Sequence, residues 1–464
     1  MLAWSCWCII APVPRTVFRD LLHTVPGGEA GTDGGLTEKR GSYGQGLGEP
    51  VDAPLRRRRF VVFAVFVAAY FLSQFYRHAN AVIAEDVAGE LSLGAAHMGL
   101  MTSLFYGAFA LAQPPLGFAL DRFGARLVTP ALMMAAFAGS LLFGFGSSFG
   151  MLAVGRALLG LGMAGVLMGS YMAFSHWFSP ERFATMAGLL VGIGALGGLG
   201  AASPLAWFSE SFGWRSVFFL GAGAILVAAA AIAIAGGDPP EGGSTPGSAV
   251  EGSVLDVIQR LVFWRIVPLN IFMGGAMMAV QGLWAGSFLF DVADLTTIEV
   301  GRLLTLLSLG AALGYSSCGW LADRLGLSRV LLTAAAVYLV AECGFVVMAL
   351  NPVIPVMAVQ YFVFGYAGGF AILLLAQIRG AFPQSHRGRA ITAVNFFGIG
   401  GAAVLQWLMG AIIESFGSAD ASSYPPEAYM AAFGLVSAGL LASILWYLPC
   451  ARIPAQETAS SLPG

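Results

Sequence analysis

Polar side chains that could bind an anion lie close together in an apolar stretch near residues 60–82. Gln74 precedes Arg77 by three residues and His78 by four, and residues at these spacings are neighbours on the surface of a helix. Asn80 follows closely. An arginine guanidinium can donate two parallel hydrogen bonds to a carboxylate or a phosphate, and a histidine can change its charge near neutral pH. These residues predict an anion-binding site that also contains a group able to carry a proton.

Arg77 lies deep in this stretch, and two interpretations of it remain open. Facing lipid, a charged side chain would be costly there, whereas facing a water-filled cavity it would attract anions. In the alternative, its long side chain extends to the outer surface of the membrane. The cavity interpretation is favoured, because polar groups deep in membrane helices mark substrate pathways.

Other apolar stretches also contain polar or aromatic side chains that are candidates for substrate contact. They are Gln281, Trp284, Tyr361 and Asn395. For Tyr361, aromatic packing is at least as good an explanation. Glu342 is an acidic residue in the middle of a stretch near residues 330–350, where it is either a proton carrier or a paired or protonated structural group.

Composition shows what kind of protein must position these residues. The chain has 464 residues, of which 58% are hydrophobic and only 10% charged, and its formal net charge is -2. A soluble chain is about one-quarter charged, so this one could not cover a water-facing surface of its size. These values argue against a soluble enzyme, a nucleic-acid-binding protein and a disordered chain. The scattered cysteines predict no metal site.

Twelve membrane-spanning helices are predicted from Phe60 onward. Each corresponds to an apolar stretch of about 20 residues, the length needed to cross a bilayer. Spans 1 to 12 are placed near 60–82, 96–116, 128–147, 151–173, 186–206, 216–235, 266–288, 301–319, 330–350, 354–376, 390–412 and 428–448. Most loop arginines fall on one face and most loop acids, among them Glu85, Glu90 and Glu414, on the other. Both termini are therefore predicted to be cytoplasmic.

Five regions follow from this order. Residues 1–55 are predicted to be a disordered cytoplasmic tail, unless the start is assigned too far upstream. A first six-helix bundle is predicted for residues 56–235 and a second for residues 263–450. Residues 236–262, rich in Gly, Pro and Ser, form the predicted cytoplasmic linker between them, and residues 451–464 a cytoplasmic tail.

A loop motif occurs twice, at the same position in each predicted half. Its residues are Gly117, Asp121, Arg122, Gly124 and Arg126 after span 2, and Gly319, Asp323, Arg324, Gly326 and Arg329 after span 8. The glycines allow tight turns, and the aspartates can accept hydrogen bonds from the N-terminus of a neighbouring helix. From the residues alone, the motif predicts a structural turn at the cytoplasmic face.

The twelve spans, the central linker and the doubled motif together resemble the major facilitator superfamily of secondary transporters, over residues of about 60–450. The resemblance implies an all-α integral membrane fold of about twelve helices in two pseudo-symmetric six-helix bundles. It further implies a substrate cavity between the bundles, alternating access by rocking, and a gating role for the motif loops. It implies no enzymatic activity, no cofactor, and a monomer in the lipid bilayer.

The segment Phe75–Asn80 resembles the helix 1 region of the organic-anion and organophosphate branches of that superfamily. In those branches an arginine at this place binds the anionic group of the substrate. The organophosphate branch has a second arginine in span 7, where this chain has Gln281 and Trp284. One arginine with an amide suits a monoanion better than a phosphate ester.

The resemblance also implies a form of coupling. Arg156 resembles a helix 4 arginine that some branches use in proton coupling, although it could instead extend to the outer surface. With His78 and Glu342 it completes the predicted proton-coupling residues. The predicted function is secondary active transport of a small organic anion, a carboxylate-like metabolite, by proton symport or anion exchange in a bacterial inner membrane. The alternatives are a proton-coupled exporter of amphipathic compounds and a non-transporting membrane sensor on the same fold.

Overall fold

Helices make up all the regular structure in the described part of the chain. The computed structural model describes residues 53–236, 254–383, 386–417 and 423–451. Most of the predicted N-terminal tail, most of the linker and the C-terminal tail from residue 452 lie outside these ranges. Two compact units are distinguished, Met1–Val61 and Val62–Gly464, and all the spans except the start of the first belong to the second unit.

The helices follow each other in the order expected of spans joined by short loops. Spans 1 to 6 comprise Ala53–His78 with Asn80–Leu91, Ala95–Phe123, Ala125–Gly144, Phe149–Trp177, Pro180–Gly200 with Ser203–Phe212, and Trp214–Ala235. A short helix, Val254–Ile258, precedes span 7. Spans 7 to 12 comprise Leu261–Ala293, Thr297–Leu325, Leu327–Leu350, Ile354–Ala381, Arg387–Glu414 and Pro426–Ala451.

Length and composition allow these helices to cross a membrane. Within the described ranges 11 helices meet this criterion alone, and Thr185–Gly200 with Ser203–Phe212, bent by 40°, forms a twelfth span. Their outer surfaces are apolar: on span 6, Leu220, Val227 and Ile234 are each more than half exposed. Such side chains avoid water only if the helix faces lipid. The predicted all-α membrane fold is confirmed, while the boundary between two bundles at residues 236–262 stays a prediction.

Several spans in the described ranges are not continuous α-helices. Span 1 is interrupted at Ala79, and span 5 at residues 201–202. Span 7 contains the π-helical segments Asn270–Gly275 and Val280–Trp284, and span 10 contains the 3-10 turn Gly369–Ile372. π-helical segments are rare and frequently lie at functional sites. Span 7 is therefore a candidate position for such a site.

The segment after Ala79 corrects one expectation. Glu85 and Glu90, predicted to lie in a loop, lie on the helix Asn80–Leu91, as does Asp86. Their charges interrupt the apolar pattern of span 1, which is why the sequence predicts a loop. The helix continues because Glu85 and Asp86 are exposed, while Ala81, Val82 and their neighbours on the other side remain buried.

The first six spans contact the last six closely at one end. The end that carries the two motif loops is called the motif face, and the opposite end the far face. At the far face spans 2 and 11, 1 and 7, and 5 and 8 meet through Gly99 with Gly410, Ala81 with Gly286, and Ser203 with Thr305, respectively. Glycine allows this approach, since a Cβ at Gly286 would fall on the carbonyl of Ala81.

Candidate functional site

Residues of span 1 line a pocket together with spans 5, 7 and 8. Gln74, Arg77 and His78 come from span 1, and Gln281 comes from the π-helical segment of span 7. The other described lining residues are Ala195, Gly198, Met277, Met278, Ser308, Ala311, Ala312 and Tyr315. The structure thus brings together four of the residues that the sequence predicts for substrate binding.

Arg77 provides the positive charge of this pocket. Its side chain is half-buried, and its guanidinium lies over the ring of Phe109, 4.9 Å from the ring centre. The described lining residues include no aspartate or glutamate, and within the described part of the chain Arg77 forms no salt bridge. Its Nε atom also lacks a hydrogen-bond partner there. The guanidinium is therefore available to an anion, which agrees with the cavity interpretation.

His78 is buried beside Arg77, and one of its ring nitrogens is fixed. Its Nδ1 atom lies 2.9 Å from the backbone carbonyl of Gln74, and because a carbonyl only accepts, Nδ1 carries the proton. Nε2 is then the acceptor of the neutral ring and the atom that can take up a second proton. Gly198 leaves room for the ring, since a Cβ there would lie 3.2 Å from Nδ1.

Neutral hydrogen-bonding groups surround the charge. The Gln281 amide donates to the Ser308 hydroxyl at 3.2 Å, and this hydroxyl donates to the carbonyl of Gly198 at 3.4 Å. The Oε1 atom of Gln74 is buried and has no hydrogen-bond partner among the described residues. A ligand with an anionic group for Arg77 and hydroxyl groups for these side chains would satisfy the polar atoms of the pocket.

The pocket is also lined by residues that the sequence does not mark as candidates, among them Met278, Ser308 and Tyr315. Serine, methionine and tyrosine are all common in membrane helices, so none of them is conspicuous there. Ser308 and Tyr315 are seven residues apart and hence share one face of span 8. That spacing is a signal, but the sequence does not show which face of the span borders the pocket.

The remaining residues predicted for substrate binding lie outside this pocket. Asn80 is fully buried and donates to the Thr102 hydroxyl at 2.9 Å. Trp284 donates to a backbone carbonyl of span 11 at 3.1 Å, and the Tyr361 hydroxyl to one of span 7 at 2.8 Å. Asn395 is half-buried on span 11 and is not among the described lining residues. The first three hold helices together, as the packing alternative expects for Tyr361.

Two of the three predicted proton-coupling residues also lie away from the pocket. Arg156 is fully buried, so it does not extend to the outer surface, and it donates to the carbonyl of Tyr76 at 3.0 Å. Glu342 is fully buried on span 9, and neither carboxyl oxygen has a hydrogen-bond partner among the described residues. His78 is the one of the three that lines the pocket.

The motif loops form turns at their second glycines. Gly124 and Gly326 have φ angles of +75° and +90°, which favour glycine. Arg126 fixes the first turn by donating through Nε to the carbonyl of Ala233 at the end of span 6, at 2.8 Å. The other glycines and arginines of the motif are exposed at the motif face: Gly117, Arg122, Gly319, Arg324 and Arg329.

The motif aspartates do not form the predicted contact with a helix N-terminus in this state. Within the described ranges neither Asp121 nor Asp323 makes a hydrogen bond or an ion pair with another residue. Asp121 instead borders a cavity that Thr392, near the N-terminus of span 11, also lines. Gating by the motif therefore stays a prediction, and it concerns another conformation.

At the far face, an acidic residue caps a helix of the other half. The Glu414 carboxylate at the end of span 11 accepts from the backbone N–H of Ala96 at 3.1 Å and from the Tyr424 hydroxyl at 2.7 Å. Tyr424 in turn accepts from the N–H of Ala95 at 2.9 Å. Burial raises the pKa of Tyr424 to about 12, so its hydroxyl remains a donor at neutral pH. Unpaired N–H groups at the start of span 2 are thereby satisfied.

The chain is similar to known membrane transporters over most of its length. A family model described as Major Facilitator Superfamily matches residues 62–301 and 292–462. The D-galactonate transporter of Escherichia coli O6:H1 is 24% identical over 425 residues, which cover 84% of this chain and 96% of that protein. The hexuronate transporter of Escherichia coli K12 is 22% identical over 432 residues, covering 86% and 96%. A probable sulfoacetate transporter of Cupriavidus necator is 24% identical over 413 residues, covering 84% and 94%.

Solved structures share the fold. A bacterial homologue of the human lysosomal transporter Spinster, in an inward-facing and unoccupied conformation, has a TM-score of 0.64 at 17% identity, covering 87% of this chain and 97% of that chain. A D-xylose–proton symporter has a TM-score of 0.68 at 13% identity, covering 86% and 99%. At these identities the likeness shows the fold alone.

Proposed function

The chain belongs to the Major Facilitator Superfamily, and we propose that it is a secondary transporter of a small organic anion with a carboxylate group. Its apolar spans make it a multi-pass membrane protein. The relatives that match most of its length are named as transporters of D-galactonate, hexuronate and sulfoacetate, which are small organic anions. Membership and relatives alike indicate a transporter rather than an enzyme.

The observation that carries the proposal is the uncompensated charge of Arg77. No acidic side chain is among the described residues that line its pocket, and its guanidinium rests on an aromatic ring. An arginine placed in this way attracts a carboxylate and offers it two parallel hydrogen bonds. The absence of a second arginine from the same set favours a monoanion over a phosphate ester.

Hydroxyl groups on the substrate would find partners in the same pocket. Gln74 offers its free acceptor Oε1. Gln281 offers an amide, and its partner Ser308 offers a hydroxyl. D-Galactonate and the hexuronates each combine one carboxylate with several hydroxyls. We therefore propose a hydroxylated monocarboxylate as the preferred substrate.

His78 is the proposed coupling residue. A proton taken up at Nε2 would place a second positive charge beside Arg77, so that a proton and an anion would bind together more favourably than either one alone. This arrangement supports proton symport. Exchange of one anion for another needs no such proton and is the alternative. Arg156 and Glu342, outside the pocket, would act only at a distance.

We further propose that the motif face is cytoplasmic and that the chain works as a monomer in a bacterial inner membrane. Arg126 and Arg329 lie at the motif face, and Glu85, Glu90 and Glu414 lie toward the far face. Basic residues in short loops favour the cytoplasmic side of a membrane.

Uptake by purified protein in proteoliposomes tests the function. The panel comprises radiolabelled D-galactonate, D-glucuronate, sulfoacetate and neutral D-galactose. We expect uptake of at least one anion but not of D-galactose. Arg77→Ala should lower kcat/KM for that anion about ten- to a hundredfold, because a hydrogen bond to a charged group contributes about 1.5–3 kcal/mol. Arg77→Lys should have a kcat/KM between those of Arg77→Ala and the wild type, because an ammonium keeps the charge but lacks the paired donors.

Arg302→Ala is the matched control, since Arg302 is an exposed arginine near the far face. It should transport as well as the wild type. Equal transport by Arg77→Ala would reject the anion anchor and favour the exporter of amphipathic compounds. A substrate-induced rise in thermal stability without any uptake would favour the sensor.

A further inference from the structure

Near the interruption of span 1, side chains of neighbouring spans donate hydrogen bonds to the backbone around Arg77. The regular helix ends at His78 and resumes at Asn80. Carbonyls next to such a break can accept from side chains of neighbouring helices. The carbonyl of Tyr76 accepts from Arg156 at 3.0 Å. The carbonyl of Arg77 accepts from the hydroxyl of Tyr106 on span 2, at 3.4 Å.

The same hydroxyl also reaches the other half of the chain. Tyr106 is 1% exposed, and its hydroxyl donates to the backbone carbonyl of Met278 on span 7 at 2.9 Å. A hydroxyl has a single proton, so this shorter bond is the stronger one and the longer contact with the Arg77 carbonyl shares the same proton. Arg77 and Met278 both line the pocket. One buried hydroxyl thus joins spans 1 and 7, which both border the pocket.

Gly282 makes this position possible. It lies in the π-helical segment Val280–Trp284, and a Cβ on it would lie 2.7 Å from the Tyr106 hydroxyl oxygen and 3.4 Å from the Arg77 carbonyl. A side chain at residue 282 would therefore push the hydroxyl off both carbonyls. The glycine and the irregular helix together leave a niche for a single oxygen atom.

We propose that Tyr106 is a positioning residue for the anion anchor, and that its hydroxyl, seated at Gly282, ties the backbone of Arg77 to span 7 and holds the far face closed. Tyr106 belongs to the first six spans and Met278 to the last six, so opening the far face between the halves must break this bridge. The proposal rests on the proposed transport function. It adds the residue that couples the position of the anchor to the conformation of the opposite half.

The distance between two exposed residues of the far face tests the proposal. Glu210 in span 5 and Glu427 at the start of span 12 are replaced by cysteine and spin-labelled in the full-length chain, after the five native cysteines are replaced. Electron–electron double resonance in nanodiscs, without substrate, gives the distribution of distances between the two labels. The ratio of long to short distances is the population of molecules with a long distance divided by the population with a short one. Tyr106→Phe should raise this ratio about two- to tenfold, the effect of losing one hydrogen bond.

Tyr338→Phe is the matched control. It removes another buried tyrosine hydroxyl, one that has no hydrogen-bond partner among the described residues. It should leave the distance ratio as in the wild type. An unchanged ratio in Tyr106→Phe, or an equal shift in Tyr338→Phe, would overturn the assignment.

A double-mutant cycle tests the niche itself. Gly282→Ala should raise the ratio of long to short distances when Tyr106 is present, because the new methyl displaces the hydroxyl. In the Tyr106→Phe background, Gly282→Ala should change the ratio little further, because the hydroxyl that the methyl would displace is already absent. Equal effects of Gly282→Ala in both backgrounds would contradict the proposal.

These distances are measured without substrate and so do not depend on the transport function. If Tyr106→Phe opens the far face but no anion of the panel is carried, the proposed function fails and the bridge stands. If Arg77→Ala abolishes uptake while Tyr106→Phe leaves the distances unchanged, the bridge fails and the function stands.

Discussion

At the scale of single residues, the pocket holds a permanent charge in place without neutralising it. Arg77 rests on the ring of Phe109 rather than on a carboxylate. A ring face attracts a guanidinium but accepts none of its in-plane N–H donors, so these remain free for a ligand. A carboxylate partner would compete with the anion. The aromatic support therefore suits a site that must bind an anion and then release it.

Phe109→Leu tests the role of that ring. Loss of the ring removes a cation–π attraction of about 0.5–2 kcal/mol, so the guanidinium should be held less well. We expect the KM for the transported anion to rise about two- to thirtyfold, measured by initial uptake rates in proteoliposomes. Phe109→Tyr keeps the ring face and should stay near the wild type. A wild-type KM in the leucine variant would show that the ring only fills space.

The sequence predicts the polar side chains of this site better than it predicts their partners. Gln74 can be found because it shares a helix face with Arg77 and interrupts an apolar stretch. Trp284 and Tyr361 interrupt such stretches too, yet their polar atoms bond to backbone carbonyls of neighbouring helices. Whether a buried polar atom is already satisfied depends on tertiary packing, which a single sequence does not contain.

At the scale of helices, the two ends of spans 2 and 11 differ. At the far face, Glu414 at the end of span 11 caps the start of span 2. A carboxylate is unfavourable at the C-terminus of its own helix and favourable at the N-terminus of another. At the motif face, Asp121 at the end of span 2 has no corresponding bond to span 11 among the described residues. In this state a carboxylate cap thus joins spans 2 and 11 at the far face, and none joins them at the motif face among the described residues.

Glu414→Gln tests this cap. An amide keeps the shape of the side chain and an oxygen that accepts, but it loses the negative charge, which contributes about 0.3–1 kcal/mol at a helix N-terminus. We expect a lower midpoint of thermal unfolding in detergent than for Glu210→Gln, which neutralises an exposed glutamate of the far face. Equal midpoints in the two variants would show that Glu414 contributes no more than a solvated surface charge.

The lengths of the helices are predictable, and their interruptions are not. A stretch of about 20 apolar residues suffices to identify a span, because only a helix satisfies its backbone within lipid. Nothing comparable marks Ala79, where neither Gly nor Pro signals the break in span 1. The π-helical segment Val280–Trp284 likewise follows from packing against Tyr106 and span 11, and the sequence alone gives no sign of it.

At the scale of the whole membrane-spanning unit, the contacts between the two halves are closest at the far face. Gly99, Gly286 and Gly410 there bring backbones of opposite halves together. The pocket is thus closed toward the far face. No sequence pattern predicts this state, because the same residues must also form the opposite one.

Asp121→Asn tests whether the motif aspartate stabilises that opposite state. The substitution should leave the present state intact, because Asp121 makes no hydrogen bond or ion pair here with another described residue. If its carboxylate caps span 11 when the motif face closes, the variant should lower the ratio of long to short distances between spin labels at Glu210 and Glu427 about two- to fivefold. Asparagine still caps a helix, so only the charge, which contributes about 0.3–1 kcal/mol, is lost. Asp294→Asn, at a positive φ that suits asparagine, is the matched control and should not change the ratio. A gate must favour one state over the other. An unchanged or higher ratio in Asp121→Asn would therefore show that the first copy of the motif is a structural turn and not a gate.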